Sequence, residues 1–312
     1  MYTLGIDTSN YATSLAVLCT DTKEVVCASK RFLPVKEGQR GLRQSDAVFH
    51  HTAALPAMLA GLDAQFPLRQ IGAVGVSVKP RPVEGSYMPC FLVGENTALA
   101  FSLSKQLPLV RTSHQQGHVA AALYASGRPE LFCRESLVFH ISGGTTELLL
   151  CRGAEVKARV GGTTDLYAGQ AVDRTGVRLG FSFPAGAELS RLAAGCPDAI
   201  RPKISVQGCD CSLSGLENQC AALMAQGQAP AYVAKYCLSA VAYTVLAMIR
   251  AAHQQYPGLP VVCAGGVMSS AVIKELVQAQ LPDVCFVPGE YSSDNAIGVA
   301  LLAAQEVGAW PT

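Results

Sequence analysis

The chain carries one strand–turn–strand pattern twice. Leu4–Leu18 reads LGIDTSNYATSLAVL and Ser136–Cys151 reads SLVFHISGGTTELLLC, each an apolar β-type run, a polar turn and a second apolar run. Two β-hairpins about 130 residues apart, each opening a stretch of alternating strands and helices, point to a duplicated α/β fold. Half of the residues are apolar and only 15% are charged, so the chain can bury a large core, but its 312 residues exceed what one core usually organises. The expectation is two lobes that close on a ligand between them.

Between the hairpins the pattern keeps alternating. A helix is expected from about Arg43 to Leu62, then the strand IGAVGVSV. Pro80, Pro82 and Pro89 break the next stretch into a loop before a helix from about Cys90 to Lys105 and the strand LPLVRTS. There are 24 Lys+Arg against 23 Asp+Glu, a net charge of +1, which excludes a self-sufficient polycationic nucleic-acid clamp. No uncharged apolar run reaches the roughly 18 residues of a membrane span, and the start MYTLGIDTSN lacks a signal-type pattern, so a soluble, cytoplasmic protein is expected. The twelve cysteines contain no CxxC pair and read mostly as small core residues; Cys209-Asp210-Cys211 is either a soft-metal or strained redox pair or an ordinary loop with two thiols.

Three local patterns bear on chemistry. In Thr112-Ser113-His114-Gln115-Gln116-Gly117-His118, a helix beginning after the strand would put two imidazoles four residues apart on one face, a spacing that suits metal ligation or, equally, surface and capping histidines. Asp294, at the start of the last apolar helix, is an anionic partner or a cap. His50, His51, His140 and His253 lack such spacing and read as structural. Ser142-Gly143-Gly144-Thr145-Thr146 and Val261-Val262-Cys263-Ala264-Gly265-Gly266-Val267 each end an apolar strand in a glycine pair. Such turns expose backbone N–H groups that form anion nests, and ligands in α/β sheets gather at the carboxyl ends of strands, although Gly, Ser and Thr also favour plain turns.

The ordered series GIDTS, His114-x3-His118, ISGGTTEL, GQAVDRTGVRLGF with PAG, CSLSGL, AGGV and SDNAIGVA resembles the TsaD/Gcp family, the tRNA threonylcarbamoyladenosine synthase component, over nearly the whole chain. The resemblance implies the two-lobed ASKHA fold of actin, sugar kinases and heat-shock chaperones, with duplicated subdomains and an interlobe cleft. Its parts would be an N-terminal lobe over 1–112, a C-terminal lobe with the nucleotide cradle over 113–293, and a helix over 294–312 packing back on the first lobe. It implies one divalent metal, Fe, Zn or Mn, on His114, His118 and Asp294. An adenylate-type nucleotide would lie across Ser142, Gly143, Gly144, Thr145, Asp173, Gly186, Gly265, Gly266 and Ser270. The implied activity moves a threonylcarbamoyl group from threonylcarbamoyl-adenylate to an adenosine of the tRNA anticodon loop, with AMP leaving; catalytic side chains are not assigned. Asp173 would hold a ribose hydroxyl or, as a plain helix carboxylate, pair with Arg174 or Arg178.

The same resemblance exposes departures. Where the family has two acids after its first turn, this chain has Tyr11 and Ala12; Thr145 replaces an imidazole, Gln170 stands in a segment that has lost another acid, and Ser270 replaces an amide. These leave room for a carbamoyl-type transferase on another acceptor, or a non-catalytic nucleotide-binding paralogue. The near-neutral charge implies that tRNA is reached through partner subunits, and the family implies a homo- or heterodimer with an ASKHA paralogue. The older protease label of the family finds no support, since the His pair lacks the Glu of HExxH and no Ser/His/Asp order is evident.

Overall fold

The computed structural model describes residues 1–34, 42–289, 291 and 295–310. The chain divides into two compact units: Met1–Cys133 with Gly153–Glu155 and Asp294–Thr312, and Arg134–Arg152 with Val156–Ser293.

The first unit is built on a five-stranded sheet. Strands β1 (Tyr2–Ser9) and β2 (Ala12–Cys19) form an antiparallel hairpin in continuous register from Tyr2↔Cys19 to Ser9↔Ala12. β3 (Glu24–Phe32) pairs antiparallel with β2, while β4 (Ile71–Lys79) and β5 (Leu109–Ser113) extend the other side in parallel, giving the order β3-β2-β1-β4-β5. Central β1 and β2 are buried on both faces, as strands covered by helices must be, whereas edge strand β3 alternates half-buried and exposed positions. Helices α1 (Gln44–Gln65) and α2 (Phe91–Lys105) carry the crossovers between β3 and β4 and between β4 and β5. They seal a core of Leu4, Ile6, Leu15, Leu55, Leu62 and Val74. Helix α3 (His114–Ala125) follows β5 directly, and α9 (Ala296–Glu306), last in the chain, packs on α3, β1 and β4.

The second unit repeats that topology. β6 (Glu135–Ile141) and β7 (Thr146–Arg152) form the second antiparallel hairpin, β8 (Glu155–Gly162) continues it, and the parallel strands β11 (Val261–Ala264) and β12 (Cys285–Phe286) complete the order β8-β7-β6-β11-β12. Strand for strand this is the order of the first sheet, so the duplication read from the two hairpins is present in the fold. Helices α4 (Ala168–Arg178), α5 (Gly186–Ala194), α6 (Ser214–Ala225), α7 (Pro230–Gln255) and α8 (Ala271–Gln278) surround it, with a small ribbon of β9 (Ser205–Gln207) and β10 (Asp210–Ser212). Among the described residues α7 alone is long and apolar enough to cross a membrane, yet 72% of its most apolar window is buried inside the protein, which marks it as the core helix of this unit. All twelve cysteines are free thiols, so no disulfide joins Cys209 and Cys211, both of which are buried.

Candidate functional site

The position of the His pair is set by a cap. Ser113 ends β5 in extended conformation, and its hydroxyl accepts from the Gln116 amide while the Gln116 side chain accepts from the Ser113 N–H. This reciprocal capping box starts α3 at His114 and puts His118 one turn further along the same face. The two rings meet edge to face at 4.4 Å, with their Nε2 atoms 3.0 Å apart. At usual metal–nitrogen lengths of about 2.0–2.1 Å, that is close to the span of two ligands on one ion.

Asp7, at the end of β1 and 1% exposed, orients the first ring. Its Oδ1 accepts from His114 Nδ1 at 3.0 Å and from Asn295 Nδ2 at 2.8 Å. Burial pushes the Asp7 carboxyl up, but the His114 charge and the hydrogen bonds from His114, Ser77 and Asn295 outweigh it and hold the group well below the ordinary carboxylate range. Asp7 and the Asn295 amide both meet the ring at Nδ1, which leaves Nε2 turned toward His118. A carboxylate behind an imidazole is the support that ligating histidines use. Asn295, 2% exposed, wedges between Asp7, Ser77 and α3; among the described residues its Oδ1 has no hydrogen-bond partner. A Cβ on Gly117 would run into that Oδ1 and stand 2.7 Å from Nδ2 and 2.8 Å from Cγ. Asp294 lies outside the described residues, and among those described no group of three or more His, Cys, Asp or Glu is arranged to hold a metal.

In the second unit the two glycine pairs end neighbouring strands. β6 and β11 run parallel with His140 opposite Ala264, so the Ser142–Thr145 turn and Gly265-Gly266 emerge side by side. Gly265 has φ +102°, and a Cβ there would strike the Ile141 carbonyl oxygen and lie 2.6 Å from its carbon, so this glycine is demanded by the fold itself. Gly143, Gly144 and Gly266 differ: a Cβ on any of them meets nothing within 4 Å. Inside the turn, Ser142 N–H donates to the Thr145 carbonyl at 2.9 Å and the Ser142 and Thr145 hydroxyls are 2.8 Å apart. The first turn of α4 rests on it, since a Cβ on Gly169 would stand 2.5 Å from the Ser142 carbonyl oxygen and 2.6 Å from the Gly143 nitrogen. Tyr167 caps α4 without a side-chain bond, and the Ala168 N–H donates to the Thr146 hydroxyl at 2.9 Å, which seats the positive end of that helix beside the turn.

Asp173 on α4 accepts from the Ala185 N–H at 2.9 Å, just before Gly186 begins α5. Its half-buried carboxyl is pushed up by burial, against the amides of Ala185 and Gly186. Arg174 and Arg178 both pair with Glu217 rather than with Asp173. Ser270, the first residue before α8, is joined to Ser190 of α5 at 2.8 Å between hydroxyls. Thus Asp173, Gly186 and Ser270 stand on one run of helices, α4–α5–α8, each tied to its neighbour. Nearby, Asp165 gathers the Leu166, Leu213 and Ser214 amides and the Ser212 hydroxyl. Burial raises this carboxyl, but those bonds prevail and hold it below its ordinary value.

Sequence reading missed three members of these clusters. Asp7 carried a signal in the GIDTS strand end; Asn295 carried none, lying 288 residues from Asp7. His140 sits on β6 as its alternation implied, but its Nδ1 is 3.2 Å from the Thr145 hydroxyl, inside the glycine turn. Of the other histidines read as structural, buried His51 binds the Thr13 hydroxyl and the Ser9 carbonyl, and His253 the Leu259 carbonyl.

The family model described as TsaD: tRNA N6-adenosine threonylcarbamoyltransferase matches residues 35–301 of the chain. A Thermus thermophilus protein named tRNA N6-adenosine threonylcarbamoyltransferase is 31% identical over 307 residues, covering 97% of this chain and 92% of its own. Among solved structures, component A of the (R)-2-hydroxyglutaryl-CoA dehydratase of Acidaminococcus fermentans matches with a TM-score of 0.61 over 99% of both chains at 14% identity. A ROK hexokinase from Thermus thermophilus matches at 0.55, again over 99% of both chains, at 16% identity. At those identities the structural likeness speaks to the fold, which is of the ASKHA type.

Proposed function

Because the chain belongs to the tRNA N6-adenosine threonylcarbamoyltransferase family, an enzyme family of acyl-transfer type, we propose that it moves a threonylcarbamoyl group from threonylcarbamoyl-adenylate to the amino nitrogen of an adenosine in the tRNA anticodon loop. The observation that carries this reading beyond family membership is the glycine turn of the second unit. A Cβ on Gly143 or Gly144 would meet no atom within 4 Å and neither has a positive φ, so neither packing nor backbone conformation requires glycine there. An oxyanion approaching the backbone does, and the N-terminus of α4 beside the turn favours negative charge.

In this reading Ser142, Gly143, Gly144 and Thr145 hold the phosphate of the adenylate, with Gly266 leaving space at the neighbouring strand end. Asp173 already accepts the Ala185 amide through Oδ1, so it contributes to nucleotide binding mainly by fixing the start of α5 at Gly186. Ser270 does the same for α8 through Ser190. In the first unit, His114 and His118 would hold a divalent cation, and Asp294, outside the described residues, is the expected third ligand. Asp7 and Asn295 hold the His114 ring at Nδ1 and so keep Nε2 turned toward His118. When bound, such a cation supplies Lewis-acid stabilisation of phosphate or carbonyl oxygens during acyl transfer. With a net charge of +1 the chain draws tRNA only weakly by itself, so partner subunits bring the acceptor.

The test is AMP release from threonylcarbamoyl-adenylate with and without unmodified tRNA, together with mass spectrometry of the tRNA nucleosides. Release that depends on tRNA and yields the modified adenosine supports the assignment. Release with a small-molecule acceptor and no tRNA product would overturn the acceptor, and no turnover together with no nucleotide binding would overturn the enzyme.

A further inference from the structure

We propose that His140 is a positioning residue that sets the hydrogen-bond polarity of the Ser142–Thr145 turn, making it a donor to an oxyanion. The inference rests on the reading that this turn takes the phosphate of an adenylate. It starts from an unbroken chain of polar atoms: His140 Nδ1 is 3.2 Å from Thr145 Oγ1, Thr145 Oγ1 is 2.8 Å from Ser142 Oγ, and Ser142 Oγ accepts from the Gly144 N–H at 3.3 Å.

Each hydroxyl owns one proton, so the ring decides where both point. If Nδ1 carries no proton, Thr145 O–H donates to the ring and Ser142 O–H donates to Thr145. Both hydroxyl protons then point inward, and the turn shows lone pairs that repel an anion. If Nδ1 carries the proton, it donates to Thr145, Thr145 donates to Ser142, and the Ser142 O–H is released from the relay, in a turn where a Cβ on Gly143 or Gly144 would meet nothing within 4 Å. A neutral ring in the Nδ1–H tautomer is enough. Leu or Val at position 140 would fit the strand equally well, but neither could fix the direction of the two hydroxyls.

The prediction separates phosphate recognition from folding, because adenosine and AMP differ only in the group the turn contacts. Calorimetry with both ligands would compare the wild type with H140L, H140N, T145V, S142A and the double variant H140L/T145V, with thermal melting as the control for folding. H140L and T145V are expected to weaken AMP by about tenfold, a loss of about 1.4 kcal/mol, and to leave adenosine within about twofold. H140N, whose amide can donate from near the Nδ1 position, restores AMP binding to within about threefold of the wild type. The double variant should bind AMP no more weakly than either single, since both break one relay. If AMP binds and H140L matches the wild type, or if H140N is as weak as H140L, the relay is refuted and the nucleotide reading stands. If the wild type binds neither AMP nor adenosine, the nucleotide reading fails and the relay with it.

Discussion

Replacing Gly117 by Ala tests the buried polar cluster of the first unit through a single methyl group. On an ordinary helix surface this change stabilises by about 1 kcal/mol, because glycine costs backbone entropy. Here the new Cβ would meet Oδ1, Nδ2 and Cγ of Asn295, all closer than a real Cβ tolerates. Asn295 is 2% exposed and must shift, at an overpacking cost of about 1–3 kcal/mol. Shifting it also breaks the 2.8 Å bond to the ionised Asp7, a charge-assisted bond whose loss costs about 1.5–3 kcal/mol. Net of the propensity gain, G117A should lose about 1.5–5 kcal/mol. The only tryptophan, Trp310, is buried in the same unit, so urea unfolding followed by its fluorescence reports on this region. The decisive comparison is with N295A, in which the obstructing side chain is gone. There G117A should cost nothing or stabilise by up to about 1 kcal/mol. An equal loss in both backgrounds would refute the mechanism, since the damage would then come from something other than Asn295.

Four further outcomes follow. H114A and H118A should each remove most bound divalent metal, and D7N, which keeps the shape of Asp7 but not its charge, should weaken metal binding by about 10–100-fold; unchanged metal content in the double His variant would defeat the cation assignment. G265A should cost about 2–5 kcal/mol because the left-handed φ and the Ile141 carbonyl both exclude a side chain, whereas G144A should melt like the wild type and lose affinity for AMP, and equal melting of the two variants would count against the distinction. Asp165 is held below its unfolded value of about 3.9, so its stabilisation is present above that pH and disappears as pH falls through the folded value. D165N should therefore be less stable than the wild type by about 1–2 kcal/mol at pH 7, with a gap that narrows below about pH 4; a constant gap would show that charge is not involved. Y11D, at a position 52% exposed, should change stability by no more than about 0.5 kcal/mol, while A12E puts a carboxylate at a site 9% exposed in β2 and should cost about 2–4 kcal/mol; a stable A12E would show that this position of β2 accommodates the acid.

What the sequence made legible was local. The hairpins, the helix starting at His114, the proline-broken loop before α2 and the strand ends at Gly143 and Gly265 all follow from periodicity, caps and turn chemistry, which act over a few residues. What it hid was long-range. Asn295 reaches Asp7, Ser77 and His114 only because α9 returns to β1 from the far end of the chain. The two glycine pairs looked alike as letters and differ in cause: Gly265 answers to φ and to Ile141, Gly143 and Gly144 to empty space. Asp173 read as a ribose ligand or as a helix carboxylate paired with Arg174 or Arg178, and only the fold supplies the Ala185 amide that occupies it.

The duplicated topology makes the divergence of the two hairpins informative. Both sheets run hairpin, third antiparallel strand, then two parallel strands, so the Asn10-Tyr11 turn and the Ser142–Thr145 turn are equivalent places in one design. In the first, Asn10 accepts from Gln44 at the start of α1 and Ala12 is packed into β2, so the turn is committed to holding a helix. The polar chemistry of that unit has instead gathered one strand end away, where Asp7 supports the His pair. In the second, two side-chain-free residues face open space and the hydroxyls beside them are linked to an imidazole. Anionic support behind imidazoles suits a cation, and backbone amides beside a helix N-terminus suit an oxyanion. The same sheet order thus carries, in its two copies, surroundings suited to opposite charges.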